Sequence, residues 1–573
     1  MGWRLVGCVT RHNQYRNNAT RTAPSTASSF INKTAHPTPL STPQNKWSAS
    51  VVRPYSDQTI GTVANSFAVF KLCGIPAFVQ WGPWVLETAE RVPGLRQASR
   101  FIVKKTFFKH FCGGETADEV HKTMINYRKR GIGVILYYAV EAEISTQTPT
   151  LDQIITEAQR TAMGMKESAT IAAQHPQNFI AVKISPFIPP NVLVRWTNTL
   201  RAVKSAFDRA TAAASDGKVS KDRFFDALGA EFPVLQQQKD KDTLFEQINS
   251  DRNGFVDYID VSNMFTIANK EARTTLLVDQ KADIDTGLKL ATEEDFKVFD
   301  AVVPILEDVV SHSKNLNVKV IIDAEWTYVQ PAIDEIALYL TKKYNGVRGD
   351  VTGGINGGRP VIFNTYQMYL KDALGRVKIE LERARRENYN IGVKIVRGAY
   401  IVSETDRANK MNYENPICAS LEHTHASYNA GIDVCLSAIK EITPDPKPTD
   451  PLPIQFFVAS HNFESVLHAD KKIRELGLDP ESDCVGFGQL MGMQDGTTYA
   501  VAANGLKGYK CVPYGPVDVT IPYLVRRAQE NSAVLGGVAV DKNNLWEEIY
   551  SRLSIRYFLD VISFRLAKNL TTR

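Results

Sequence analysis

Near the C-terminus, the run Tyr-Leu-Val-Arg-Arg-Ala-Gln-Glu-Asn (residues 523–531) sets two guanidinium groups side by side in a segment with helical spacing. Tyr523, Arg526, Arg527 and Glu530 fall at i, i+3, i+4 and i+7, the positions that ordinarily carry the buried apolar stripe of a helix. A phenol, two guanidinium groups and a carboxylate on that stripe point to an anionic partner, because paired arginines give several charge-assisted hydrogen bonds to one anionic group. Alone, an Arg-Arg pair is more often a solvated helix face or a surface salt bridge. Its surroundings have to decide.

Those surroundings are periodic. Short apolar or β-branched runs recur at Gly133–Ala139, Phe179–Ile184, Val318–Asp323, Pro360–Thr365, Val393–Val396, Gln455–Ser460, Cys484–Phe487 and Lys510–Pro513. Most are followed by a helix-length segment of mixed charge, which predicts a parallel sheet covered on both faces. Eight such units match a (β/α)8 TIM-type barrel, an α/β fold; an open doubly wound sheet is the alternative. Lys183, Asp323, Gln367, Arg397, His461 and Asn462 stand where runs end, and the C-terminal strand ends are where such barrels carry their sites.

More than a hundred residues separate the second and third runs, too many for one crossover helix. Within them, Asn249-Ser-Asp251-Arg-Asn253-Gly254-Phe255-Val256-Asp257-Tyr-Ile-Asp260 follows an EF-hand loop. Asn249, Asp251, Asn253, the Phe255 carbonyl and Asp260 are its candidate calcium ligands. Asn at position 1 and the short Asp260 at position 12 predict weak binding, if any. A partner loop about thirty-seven residues upstream would offer Ala212, Ala214 and Arg223, which hold no cation. The expected organisation is a transit or disordered segment over 1–56, an N-terminal helical region over 57–130 and a barrel over 131–190 and 300–545. An EF-hand-like helical subdomain is inserted over 191–299, and a C-terminal helix covers 546–573.

At 573 residues with 43% apolar and 23% charged residues, the chain can bury a large core. The net charge of +5 is unevenly placed: no Asp or Glu precedes Asp57, whereas Arg4, Arg11, Arg16, Arg21, Lys33, Lys46 and Arg53 do. An acid-free segment rich in Arg, Ser and Thr reads as a mitochondrial transit peptide rather than a nucleic-acid-binding arm. Seven scattered cysteines with no CxxC pair indicate neither a disulfide framework nor a zinc ribbon. No run of about twenty apolar residues could span a bilayer. The nearest, Leu72–Leu86, is broken by Gly74, Pro76, Gly82 and Pro83, and packing on the main domain is expected in preference to lying on a membrane.

Other motifs carry less. Gly486-Phe-Gly488-Gln-Leu-Met-Gly492 has its last glycine one place late for a dinucleotide fingerprint. Gly353-Gly354-Ile-Asn-Gly357-Gly358 precedes a strand and so offers phosphate no helix N-terminus. His423 and His425, two apart on a helix, diverge too far to share a metal.

What remains is Ile-Ile-Asp323-Ala-Glu325, Phe-Asn-Thr-Tyr-Gln367-Met-Tyr-Leu-Lys, Lys394-Ile-Val-Arg397-Gly398-Ala-Tyr400, Ala-Ser460-His461-Asn462 and the arginine stripe. Together, in this order, they closely resemble the proline dehydrogenase family of flavoenzymes from about Gly133 to Leu535, the insertion apart. The resemblance implies a (β/α)8 barrel with FAD at the strand C-termini. It also implies oxidation of L-proline to pyrroline-5-carboxylate and electron transfer to ubiquinone, with peripheral contact to the mitochondrial inner membrane from the matrix side. It makes Arg526, Arg527 and Lys183 the carboxylate clamp, with Asp323, Tyr400, Leu490, Cys511 and Tyr523 lining the pocket. Gln367, Lys394, Val396, Arg397, Gly398, Ala399, Ser460, His461, Asn462 and Glu530 would contact FAD, with Lys394 near flavin N5 and the substrate's C5–H. Glu141 would pair with an arginine to close the site. Cys511 stands where proline-selective members often carry a tyrosine against the substrate ring, and relatives that prefer hydroxyproline have a small residue there. Hydroxyproline dehydrogenase is therefore the alternative within the chemistry, and a calcium-responsive scaffold with an inactive barrel the alternative outside it.

Overall fold

The computed structural model describes residue 47 and residues 53–553, apart from 140–148, 177, 213–217, 232–240, 250–252, 271, 274–288, 349–357, 444–451 and 534. Eight parallel strands close into one barrel in sequence order: β1 Gly133–Tyr138, β2 Phe179–Val182, β3 Lys319–Ile322, β4 Ile362–Gln367, β5 Ile391–Val396, β6 Ile454–Ala459, β7 Val485–Leu490 and β8 Lys507–Tyr514. The circle shuts where β1 pairs with β8 over six residues, from Gly133 opposite Tyr509 to Tyr138 opposite Tyr514. All eight expected runs are strands, and closure rules out the open sheet.

Among the described residues, the helices before the barrel are α1 Ile60–Cys73, α2 Pro76–Glu90, α3 Leu95–Val103 and α4 Ala117–Arg128, with a single further turn at Lys109–Phe111. A π-helical turn over Lys104–Phe108 follows α3. Between β1 and β2 lies α5 Leu151–Ala172, started by a capping box in which Thr150 accepts the Gln153 N–H and Gln153 returns the bond. The long insertion between β2 and β3 contains α6 Pro190–Thr211, α7 Lys221–Glu231, α8 Lys241–Ile248, α9 Tyr258–Met264 and α10 Glu293–Asn315. The remaining crossovers are α11 Gln330–Tyr344, α12 Ala373–Arg386, α13 Ile401–Met411, α14 Leu421–Ile442, α15 Phe463–Glu475 and α16 Asp495–Ala503. After β8 come α17 Val517–Ala533 and α18 Leu535–Leu553. The expected boundaries at 299/300 and 545/546 fall inside α10 and α18, which run unbroken across them.

The described residues of the insertion share their core with the barrel. Val203, Phe207, Phe224, Phe245 and Val261 join one apolar cluster with Ile180, Ile333 and Val512 of the barrel and its helices. Val219 and Val256 bridge antiparallel, with N–O distances of 3.0 and 2.9 Å. Asp260 accepts the Asp257 N–H at 2.9 Å and so closes the cap of α9, while Asp257 pairs with Arg386 of α12 at 2.5 Å. Asp251 lies outside the described residues, and among the described residues no group of three His, Cys, Asp or Glu could hold a metal ion. The insertion is thus fastened to α12 by one of its own loop carboxylates.

Leu72–Leu86 packs on the main domain as expected, but only along one side. Its second half, in α2, packs on α17 along one side and leaves Phe78, Trp81, Trp84 and Val85 exposed. The interruption by Gly74 and Pro76 bends α2 by 97° away from α1, so only α1 reaches the core.

Candidate active site

The two ends of the barrel differ at once. Its N-terminal half is plugged by rings: Phe179 packs edge-on against Phe363, Phe457 and Tyr509, with centroids 5.2–5.6 Å apart. A Cβ on Gly486 or Gly488 would come within 2.7 or 2.4 Å of the Phe457 ring. These glycines therefore make room for an aromatic, which is why their spacing only resembles a nucleotide fingerprint. A cavity of about 250 Å³ lies at that end, between the starts of β1 and β8 and bounded by Arg128, His175 and Asn178, but the ion pair and the arginine stripe stand at the C-terminal mouth.

There, the strand ends supply charge. Lys394 on β5 reaches Asp323 at the end of β3, Nζ to Oδ1 2.7 Å, spanning β4 beneath them. Lys183, following β2, lies with its ammonium 5.7 Å from the Tyr137 ring. Tyr400 follows β5, its ring centroid 4.9 Å from that of Trp326 with the two planes tilted by 41°. Its hydroxyl is pushed up to about 12, mainly by burial. Lys183 and Arg526 act on that phenol in the opposite direction, whereas Glu325 and Asp323 add to the rise. Residues from β2, β3, β5 and α17 thus converge on one phenol.

Helix α17 lays the arginine stripe across this mouth. Tyr523 is buried, and the Arg527 guanidinium sits 5.0 Å from its ring centroid while donating to Glu530 at 2.6 Å. Burial raises the Glu530 carboxyl above the usual carboxylate range, against the pull of Arg527 and Arg526. Cys511 on β8 feels Asp323, Lys394 and Arg527, and burial lifts its thiol to about 12, so it is a neutral wall of the pocket. Leu490 is its register partner on β7.

The β6 end is held by short-range bonds. Asn462 caps α15 by accepting the Ser465 N–H at 2.9 Å, and its own N–H donates to the Ser460 hydroxyl at 3.1 Å. His461 Nε2 accepts the Leu490 N–H at 3.0 Å, which puts any ring proton on Nδ1. Burial, with Lys510 and Arg527 nearby, lowers its pKa to about 3, so the ring is neutral at physiological pH. After β5, Arg397 donates to His425 and to Ser465 and lies 4.3 Å from the Tyr428 ring centroid. Val396 ends the strand, and Gly398 follows at φ +53°, with Ala399 exposed beside it. A left-handed glycine here lets main chain approach a flat ligand without a side chain intervening.

Among the described residues, Gln367 Oε1, the Tyr523 hydroxyl and Arg397 Nε at this mouth are buried with no partner. Buried polar atoms are almost always satisfied, so unpaired ones clustered at a charged mouth fit a polar ligand that completes them. The open glycine corner and Lys394 leave room and positive charge for a flat anionic group.

Every expected pocket and cofactor residue lies at this end of the barrel or on α17; Glu141 is outside the described residues. Two features were not read from the sequence. Lys394 and Asp323 form one ion pair. Glu325, 1% exposed, accepts the N–H groups of Ile184 and Ser185 at 3.1 and 3.0 Å, and its carbonyl accepts from Gln367 Nε2 at 2.8 Å. It bolts together the ends of β2, β3 and β4, directly behind Lys183 and Gln367. The only sequence signal was its place two residues after Asp323. His425, set aside as a metal ligand, instead positions Arg397.

Comparison with known proteins agrees in family and fold. The chain is 29% identical over 549 residues to proline dehydrogenase 1, mitochondrial, of Caenorhabditis elegans, covering 86% of each chain. It is 28% identical over 552 residues to the Homo sapiens protein of that name, covering 87% of this chain and 88% of that one. A hydroxyproline dehydrogenase of Xenopus laevis is 37% identical over 248 residues, covering 43% of this chain and 49% of that one. Among solved structures, proline utilization A (PutA) of Bdellovibrio bacteriovorus superposes with a TM-score of 0.51 at 15% identity. That match covers 88% of this chain and 41% of the longer one, which makes it a likeness of fold. The family model described as proline dehydrogenase matches residues 120–539, a span that contains every strand of the barrel and the arginine stripe, and the chain belongs to that family.

Proposed function

We propose that this chain oxidises L-proline to pyrroline-5-carboxylate with FAD as resident cofactor and ubiquinone of the mitochondrial inner membrane as electron acceptor. The observation that supports the reading is the charged mouth itself, where Lys394 pairs with Asp323 at 2.7 Å and α17 sets Arg527 over Tyr523 and against Glu530. When bound, FAD supplies the two-electron acceptor. The residues that would hold it are Gln367, Val396, Arg397, Gly398, Ala399, Ser460, His461, Asn462 and Glu530.

The chain's own contribution is placement. Lys183, Arg526 and Arg527 receive the substrate carboxylate, and Tyr400, Leu490, Cys511 and Tyr523 enclose the ring. Oxidation removes a hydride from C5 and a proton from nitrogen, so the clamp must fix the ring at the far end from the reacting carbon. Asp323 keeps Lys394 extended, and that ammonium stabilises negative charge accumulating on the acceptor side. Glu325 holds the backbone from which Lys183 projects.

The test is spectroscopic. Purified protein is expected to carry flavin absorbance that bleaches anaerobically on adding proline. Protein that folds but neither retains nor binds FAD would refute the reading; bleaching by trans-4-hydroxyproline in preference to proline would move it to the sister activity. For the acid-free segment before Asp57 we propose mitochondrial import, in line with the names of the relatives. Import of a chain lacking it would exclude that role.

A further inference from the structure

Among the described residues no single helix is long and apolar enough to cross a membrane. The bent pair α1–α2 divides its labour instead. Helix α1 turns Val63, Val69, Phe70 and Cys73 into the protein. On α2, Trp81 and Trp84 are 58% and 59% exposed; on α3, Phe101 and Ile102 are 62% and 60% exposed. Helix α3 buries no residue at all. Its sequence is nonetheless amphipathic: Leu95, Ala98, Phe101 and Ile102 recur at i, i+3, i+6 and i+7, while Arg96 and Arg100 lie off that face. Such a face is normally spent on the core, and here the core does not use it. An apolar surface of adjoining helices, with two tryptophans, exceeds the scattered apolar residues of ordinary surfaces.

We infer that α2 and α3 are the face by which this protein lies on an anionic lipid bilayer. Charge selects the occupant. Residues 71–109 hold seven Lys or Arg against two Glu. Arg91 pairs with Glu87, Arg100 with Asp518 and Lys104 with Glu115, and Lys71, Arg96, Lys105 and Lys109 are exposed. A second copy of the chain would bring like charge against like, whereas phosphate headgroups complement it. Tryptophan beside basic residues, with aliphatic and phenyl groups on the same helices, is the composition of a helix lying in the headgroup plane. The 97° bend fits this orientation, since it lays α2 across α1 instead of extending it. Helix α2 also packs on α17, which carries Arg526 and Arg527, so the face adjoins the candidate mouth. The inference rests on the proposed function only in naming that neighbourhood as the side from which a membrane-dissolved acceptor would come.

The experiment uses the full chain with vesicles of phosphatidylcholine, alone or with cardiolipin. Co-sedimentation and tryptophan fluorescence report binding, and proline turnover with a soluble dye is followed in parallel. Wild type is expected to bind the cardiolipin vesicles with a blue-shifted emission. Trp81→Glu with Phe101→Glu should weaken partitioning on the order of 100-fold, and Lys105→Glu with Lys109→Glu roughly 10-fold on cardiolipin vesicles only. Both should keep dye turnover. Unchanged binding in either double variant overturns the inference. So does light scattering that shows wild-type dimers, dispersed by Trp81→Glu with Phe101→Glu, without vesicle binding. If the aromatic variant does not fold, the lysine variant decides. Loss of dye turnover in wild type would instead count against the proposed reaction and leave the vesicle result intact.

Discussion

The N-terminal and C-terminal ends of the barrel are built from the same eight strands and solve opposite problems. At the N-terminal end, rings from β2, β4, β6 and β8 fill the interior, and even Lys319 lies with its ammonium 5.3 Å from the Phe179 ring centroid. At the C-terminal end, the barrel carries an ion pair, a row of arginines and buried polar atoms with no partner. The barrel interior at one end is filled by its own rings. The other end is complete only when something binds. Stability and function are thereby separated along the barrel axis, as in other (β/α)8 barrels, and the separation can be broken by mutation at either end.

The largest effect is expected at the plugged end. Phe457 is 1% exposed and touches Phe179 and Tyr509 over the two glycines of β7. Phe457→Ala should cost about 3–5 kcal/mol of stability, since a phenyl-sized cavity between rings and main chain can collapse little. Urea denaturation measures it. At a temperature where the variant is folded, kcat/KM for proline should stay within about threefold of wild type, as expected for a group far from the transition state. A selective loss of activity in a stable variant would erase the division between the ends.

At the open end the order reverses. Arg526→Met should leave unfolding near wild type and lower kcat/KM for proline by about 30- to 1000-fold, roughly 2–4 kcal/mol, mainly through KM. The clamp argument requires loss of binding with FAD content kept. Near-normal kinetics would remove Arg526 from the site.

The same contrast decides what could be read without coordinates. The eight strands were legible because strands buried on both faces are continuous apolar runs, and only their limits moved: β5 begins at Ile391 and β8 at Lys507, where glycines dilute the pattern. The arginine stripe was legible because a charged residue on a helix's apolar stripe violates the period. Lys394 with Asp323, and Arg397 with His425, were not, because they join residues 71 and 28 apart and depend on how strand ends fan out in space. Glu325 sat in a quoted motif, yet nothing local shows that its carboxylate holds two N–H groups of another strand end. The exposed side of α2 was not legible for a related reason: an apolar helix says that it wants cover, not which body provides it.

Acid should distinguish the ends next. His461 is held neutral down to about pH 3, below an ordinary histidine near 6.5. A depressed histidine means the unfolded chain takes up a proton that the folded chain refuses, so this stability is whole above about pH 6.5 and drains as pH falls toward 3. Between pH 7 and 5 the loss from one such group is about 2 kcal/mol. His461→Gln, whose amide oxygen can still accept the Leu490 N–H, should flatten the pH dependence of unfolding by about that amount. An unchanged slope would show that the ring is protonated in the folded protein.

The smallest effect concerns which ring the open end accepts. Cys511 lies on β8 opposite Leu490, in the fields of Asp323, Lys394 and Arg527, and its buried thiol is neutral. It is a short wall. Cys511→Tyr would fill the space beside it with a phenol, adding apolar contact to an unsubstituted ring and crowding a hydroxyl at C4. Shape alone rejects one added oxygen weakly, so the ratio of kcat/KM for proline over trans-4-hydroxyproline should rise by roughly 10- to 100-fold. A fixed ratio with FAD content and melting unchanged would mean that Cys511 faces away from the substrate. A fall in both values with the ratio fixed would mean that the phenol obstructs the clamp. Only a change in the ratio identifies this position as the one where the open end reads the far side of the ring.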